Sequence, residues 1–157
     1  MSNDSLSPAI EARIAELVAA YGNGADGAAP TPRQWAALLA RPADAPISLV
    51  NHFELRDAAD YGGAADAPTE PGSGREAFMR YSAVSGPCLE KAGGRFLLLG
   101  PFEGGVIGAD EDWDLVVVGR YPTTDALFAL FDAPEYRAAW MHRRAAVARQ
   151  RVLAVGA

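Results

Sequence analysis

The sequence predicts an α+β fold, a four-stranded antiparallel sheet with its helices on one face, preceded by a helical extension over residues 1–45. Three observations predict it. Segments of strand character alternate with helical segments in the order strand, helix, strand, strand, helix, strand. Capping boxes announce helices at Thr31-Pro32-Arg33-Gln34 and at Ser73-Gly74-Arg75-Glu76. Two strands, carrying Phe96-Leu97-Leu98-Leu99 and Leu115-Val116-Val117-Val118, are apolar on both sides.

In chain order, Ser7-Pro8 supplies an N-cap and a proline at the first helical position, and Gly22 a stop. Ile10, Ile14, Leu17, Val18 and Tyr21 share the face between them. The second helix carries Trp35, Leu38 and Leu39 on one side and ends before Arg41-Pro42. Ile47 to Leu55 reads as the first strand. Residues 57–74 read as a mobile loop, rich in Gly, Ala, Asp and Pro. The helix after Ser73 sets Phe78, Tyr81, Ser85, Cys88 and Leu89 on one face, with a kink expected at Pro87 and a stop at Gly93-Gly94. Strands follow from Arg95 to Gly100 and from Trp113 to Tyr121, separated by a turn-rich acidic stretch. The last helical region opens at Pro122-Thr123-Thr124-Asp125 and is divided by Pro134; Leu127, Phe128, Phe131, Tyr136, Trp140 and Val147 form its buried face. Arg151 to Val155 closes the chain as a strand.

That order is the ferredoxin-like βαββαβ unit, which covers only one face of its sheet. Strands apolar on both faces then need a second cover, because each large side chain left in water forgoes about 1.5–3 kcal/mol. A second copy of the chain, docked sheet to sheet, supplies it in a closed and self-complementary way. The short N-terminal helices are the rival cover. The expected domains are thus residues 1–45, the helical extension, and residues 46–157, the sheet domain.

Composition sets the outer bounds. The 157 residues are 50 % hydrophobic and 22 % charged, as in a globular protein. A formal charge of −6 argues against a nucleic-acid partner. No apolar run reaches the roughly 18 residues of a membrane helix. A single cysteine, Cys88, forms no internal disulfide and suits a reducing cytoplasm.

Several local motifs add a resemblance. They are Ser-Leu-Val-Asn-His-Phe in the first strand, Gly74-Arg75-Glu76-Ala77-Phe78 with Tyr81, Gly93-Gly94-Arg95, Val106-Ile107-Gly108, Trp113-Asp114, Arg120-Tyr121-Pro122, Pro134-Glu135-Tyr136 and His142-Arg143. In that order, Ile47 to Val155 resembles a family of unknown function within the dimeric α/β-barrel superfamily. The resemblance implies a homodimer whose two sheets form a barrel, with small molecules bound between sheet and helices. The superfamily includes cofactor-free monooxygenases, haem-degrading enzymes, isomerases and plain ligand binders, so no single reaction is implied.

The residues themselves suggest a site. Asn51 shares a strand face with Ile47, Leu49 and Phe53, where a buried amide needs partners. Trp113 is expected to share its strand face with Leu115, Val117 and Tyr121. Asn51, Tyr81, Trp113, Tyr121, Tyr136 and Arg143 are therefore the expected ligand-binding set, converging on an apolar cleft with a few polar tips. His142 is the candidate catalytic base, with Arg143 beside it to hold an anionic group. Against this stands an aromatic core with satisfied hydroxyls and a histidine paired with an acid such as Asp114. No metal site is expected, since His52 and Glu54 are too few ligands, and no motif calls for a cofactor. The acidic run at Asp110, Glu111, Asp112 and Asp114 reads as a solvated turn. Cys88 reads as buried and inert. The function expected is a small-molecule-binding homodimer that turns over an aromatic or oxygenated metabolite without a cofactor. A non-catalytic sensing or interaction module, and haem binding or degradation, are the alternatives.

Overall fold

The computed structural model describes residues 5–156. Helix starts are fixed by the side-chain oxygens found in the sequence. Ser7 accepts from the Ile10 backbone N–H and caps α1, Pro8–Tyr21. Thr31 and Gln34 form a reciprocal box at α2, Pro32–Leu39, and Ser73 and Glu76 another at α3, Gly74–Lys91. Each box satisfies two N–H groups that the first turn leaves without partners. The helix α3 runs through Pro87 without interruption. Thr123 caps α4, Thr124–Asp132, and Pro134 opens α5, Pro134–Ala146.

The strands are β1, Ile47–Leu55; β2, Arg95–Pro101; β3, Leu115–Tyr121; and β4, Val147–Gly156. They form one sheet in the order β2-β3-β1-β4, with every neighbouring pair antiparallel. Two boundaries differ from expectation. Val147 belongs to β4 rather than to the helical face before it, and pairs with Leu55. Strand β3 begins at Leu115, not Trp113, because Asp114 turns aside: its N–H donates to Phe53 O (2.8 Å) and its carboxylate accepts the Leu55 N–H (2.7 Å).

The chain divides into two compact units, one up to Pro42 and one from Ala43. In the first, Leu17, Tyr21 and Trp35 are buried, and the Tyr21 and Trp35 rings lie 5.9 Å apart. In the second, α3 and α5 pack against each other. Phe53 of β1 meets Phe78 of α3 at 5.0 Å between ring centroids, and Leu89 of α3 lies over Gly119 of β3. These contacts mark the covered face of the sheet. Burying aromatic and aliphatic side chains there contributes about 1.5–3 kcal/mol each. Gly74 allows α3 to start hard against the end of β1: a Cβ at that position would collide with the Arg56 carbonyl.

Alternation puts Val50, Val116, Val118, Leu98, Leu153 and Val155 on the other face. Leu98, Leu153 and Val155 are 55 %, 41 % and 48 % exposed in the single chain. A register shift between Phe96 and Leu98 leaves Phe96 on the covered side, near Gly86 of α3.

Residues 57–74, expected to be mobile, are instead stitched down. Ala59 N–H bonds Gly72 O (2.9 Å), Asp60 N–H bonds Ala145 O (3.0 Å) and Gly74 N–H bonds Arg56 O (3.1 Å). Arg80 of α3 adds bonds to Pro71 O (2.6 Å) and Glu70 O (3.2 Å). The composition signals irregular backbone, but not whether its polar groups find partners. The acidic stretch is likewise put to use: Glu111 pairs with Arg151 (2.8 Å) and accepts from Trp113 Nε1 (3.3 Å).

Candidate functional site

The covered face carries a buried charge. Arg143 projects from α5 and is 7 % exposed. Its Nε and Nη2 both donate to Gln150 Oε1 of β4, at 3.1 and 2.7 Å, and its Nη1 donates to the Tyr81 hydroxyl at 3.1 Å. Tyr81 and Tyr136 share a hydroxyl–hydroxyl bond of 2.8 Å. The guanidinium carbon lies 4.6 Å from the Trp140 ring centre and 4.8 Å from that of Phe53, where π faces attract a cation. Among the described residues Arg143 has no acidic partner.

These neighbours set the protonation states. Burial opposes the charge on Arg143, but the oxygens of Tyr81 and Tyr136 more than offset this, so it holds its proton more firmly than a free arginine. Burial first, and then Tyr81, pushes both Tyr121 and Tyr136 upward from the ordinary phenol value. Both are neutral phenols at physiological pH. The Tyr121 hydroxyl has no hydrogen-bond partner among the described residues. Asn51 points to the same side of the sheet. Its Nδ2 donates to Val117 O (3.0 Å) and Leu49 O (3.3 Å), which leaves Oδ1 without a partner among the described residues.

A second network adjoins the first. Arg80 and Tyr81 are neighbours on α3, as His142 and Arg143 are on α5. Arg80 Nη1 donates to the Tyr61 hydroxyl at 3.0 Å, and Tyr61 lies 2.7 Å from His142 Nδ1. Since Tyr61 accepts from Arg80, its own proton is free for Nδ1, which leaves His142 protonated at Nε2. Burial first, then the Arg80 charge, lowers the His142 pKa below 6.5 and keeps the ring neutral. A neutral imidazole can take up a proton; a buried cation with phenols around it can hold an electron-rich oxygen.

Of the expected site residues, the structure gathers Tyr81, Tyr121, Tyr136 and Arg143, with Asn51 on the same face. His142 stands beside them, directed to Tyr61 and not to Asp114. Trp113 does not join them. It lies over the opposite face, 5.5 Å from the His52 ring and 3.8 Å from the Arg149 guanidinium carbon, and Arg149 pairs with Glu54. The turn at Asp114 breaks the alternation that would have kept Trp113 with Leu115 and Val117. Cys88 is half-buried, and burial raises its thiol pKa, so it stays protonated. No group of three or more potential metal ligands occurs among the described residues. No helix among them is long and apolar enough to cross a membrane.

Residues 73–157, more than half of the chain, match the family described as "Domain of unknown function (DUF1330)". The chain belongs to that family. Two crystal structures of RPA0582, a protein of unknown function from Rhodopseudomonas palustris, resemble this DUF1330 chain. The methylated form is 34 % identical with a TM-score of 0.72, covering 82 % of this chain and 92 % of that one. The other is 34 % identical with a TM-score of 0.70, covering 82 % and 94 %. No curated protein matches the chain. The DUF1330 segment holds Tyr81, Tyr121, Tyr136, His142, Arg143 and Gln150, whereas Asn51, Phe53 and Tyr61 precede it.

Sequence reasoning missed Gln150, Tyr61 and Arg80 in this DUF1330 site. Gln150 precedes the expected strand and carried no local signal; only the β1–β4 pairing, which sets it opposite Phe53, turns it to the helices. Tyr61 carried only the unusual length of its loop. Arg80 looked like any exposed helix arginine.

Proposed function

We propose that this DUF1330 chain is a homodimeric small-molecule-binding protein of the dimeric α/β-barrel superfamily, with a ferredoxin-like βαββαβ domain and its ligand held between sheet and helices. The observation that carries the binding reading is the convergence of Tyr81, Tyr121, Tyr136 and Arg143 on one spot, where Arg143 keeps N–H groups and Tyr121 a hydroxyl without partners among the described residues. A polar cluster of that kind is expensive in a pure core and useful in a recognition site. The strand order β2-β3-β1-β4 supports the ferredoxin-like reading. The exposed Leu98, Leu153 and Val155 support a second copy on the open face.

The reading extends to proton transfer on an aromatic or oxygenated metabolite, without a cofactor. His142 is the base, acting through the nitrogen that Tyr61 does not engage, and Tyr121 and Asn51 are the hydrogen-bonding groups. One observation favours a non-catalytic sensing module instead: Arg143 already has Gln150 and Tyr81 as partners, so the cluster holds together by its own side chains. A turnover assay on candidate ligands separates the two readings.

Two measurements test the proposal. Sedimentation equilibrium at tens of micromolar is expected to return twice the chain mass; a monomer contradicts the dimer. Thermal unfolding with a panel of small oxygenated aromatics is expected to show at least one saturable rise in melting temperature, as selective binding to the native state requires. A panel with no such rise contradicts the binding site.

A further inference from the structure

We propose that the ligand of this cleft is a monocarboxylate with a flat apolar body, held through the two N–H groups of Arg143 that the described residues leave unused. The inference rests on the cleft reading above and specifies its substrate class.

Donor counting comes first. A guanidinium has five N–H groups in a rigid planar fork. In Arg143 one on Nε and one on Nη2 go to Gln150 Oε1, and one on Nη1 goes to Tyr81. One N–H on Nη1 and one on Nη2 remain without partners among the described residues. Two remaining donors on two terminal nitrogens match the two oxygens of one carboxylate.

Charge points the same way. A buried cation is costly unless an anion offsets it. Gln150 and Tyr81 supply oxygens but no charge, and Phe53 and Trp140 supply only π attraction. One guanidinium is neutralised by one monoanion, while a phosphate dianion would bring a surplus negative charge among neutral phenols. Phe53, Tyr81 and Trp140 around the fork favour a flat apolar body. The Tyr121 hydroxyl is available for one polar substituent on it.

Benzoate is the probe, and benzyl alcohol its uncharged counterpart. Titration calorimetry on the full chain, at pH 7.5 and fixed ionic strength, is expected to show benzoate binding about ten- to a hundredfold more tightly, the worth of a charge-assisted hydrogen bond. Gln150→Glu places a carboxylate of the chain's own against Arg143. This variant is expected to fold with an unchanged or higher melting temperature, to weaken benzoate by a similar factor, and to change benzyl alcohol binding less than benzoate binding. Should Gln150→Glu fail to fold, Arg143→Lys keeps the charge but loses the fork, and is expected to weaken benzoate at least about tenfold. Benzyl alcohol binding as tightly as benzoate overturns the carboxylate class and leaves the cleft standing. Benzoate binding to a folded variant as tightly as to wild type also overturns it. Binding of neither probe overturns the cleft reading as well.

Discussion

Strand β1 has two faces with opposite problems. Phe53 and Asn51 look toward α3 and α5, where Phe53, Phe78 and Tyr81 are buried, although Phe96, Leu99 and Val152 toward the sheet edges stay exposed; the unsolved element is a charge, Arg143, with no acidic partner among the described residues. Val50 and His52 look the other way, where Glu54–Arg149 and Glu111–Arg151 pair at the surface. There the unsolved element is apolar: Leu98, Leu153 and Val155 remain exposed. The proposed ligand of the covered face is a small anion, and the proposed partner of the open face is a large apolar surface.

The largest expected effect comes from emptying the covered face. Arg143→Ala leaves a cavity and strands the oxygens of Gln150 and Tyr81, and is expected to lower unfolding free energy by about 3–5 kcal/mol in urea denaturation. Arg143→Met, which keeps most of the volume, is expected to cost less. Equal costs would mean that the polar contacts contribute nothing.

Next in size is a charge on the open face. Leu153→Glu is expected to weaken the proposed homodimer by about 3 kcal/mol, since each copy would lose burial of one large side chain. Sedimentation equilibrium would show monomer, while circular dichroism stays that of the native fold because Leu153 is already half exposed in one chain. An undisturbed dimer would remove the contrast between the faces.

The smallest effect is a pH dependence at the edge of the covered face. The folded pKa of His142 lies below 6.5, so as pH falls the unfolded chain takes up the proton first. The stabilisation is complete above about pH 6.5 and declines as pH drops toward the folded value. Melting temperature followed from about pH 8 down to about pH 5 is expected to fall less steeply in His142→Gln than in wild type. Identical slopes would show that burial and the Arg80 charge do not hold the ring neutral.

The elements of the fold were legible because they depend on neighbours in sequence. Ser7, Thr31 and Ser73 are short-range caps, and Ile47 to Leu55 declares its strand by composition alone. Tyr81, Tyr121 and Tyr136 of the buried cluster were legible too, since aromatic residues at helical or strand spacing tend to face inward. What escaped depends on the register between distant segments. Trp113 was assigned to the wrong face because a single turned residue, Asp114, resets strand alternation. Tyr61 and Arg80 meet His142 only once a loop is tied across two helices, and no local pattern encodes that. Gln150 becomes the partner of Arg143 only through the pairing of β4 with β1.

The most direct measurement is the emission of Trp140, which lies against the Arg143 guanidinium. In a Trp35→Phe, Trp113→Phe chain it is the sole indole, and benzoate added stepwise is expected to change its emission along a saturable curve. A flat response across the same concentrations, from a chain that remains folded, would contradict a ligand site at Arg143.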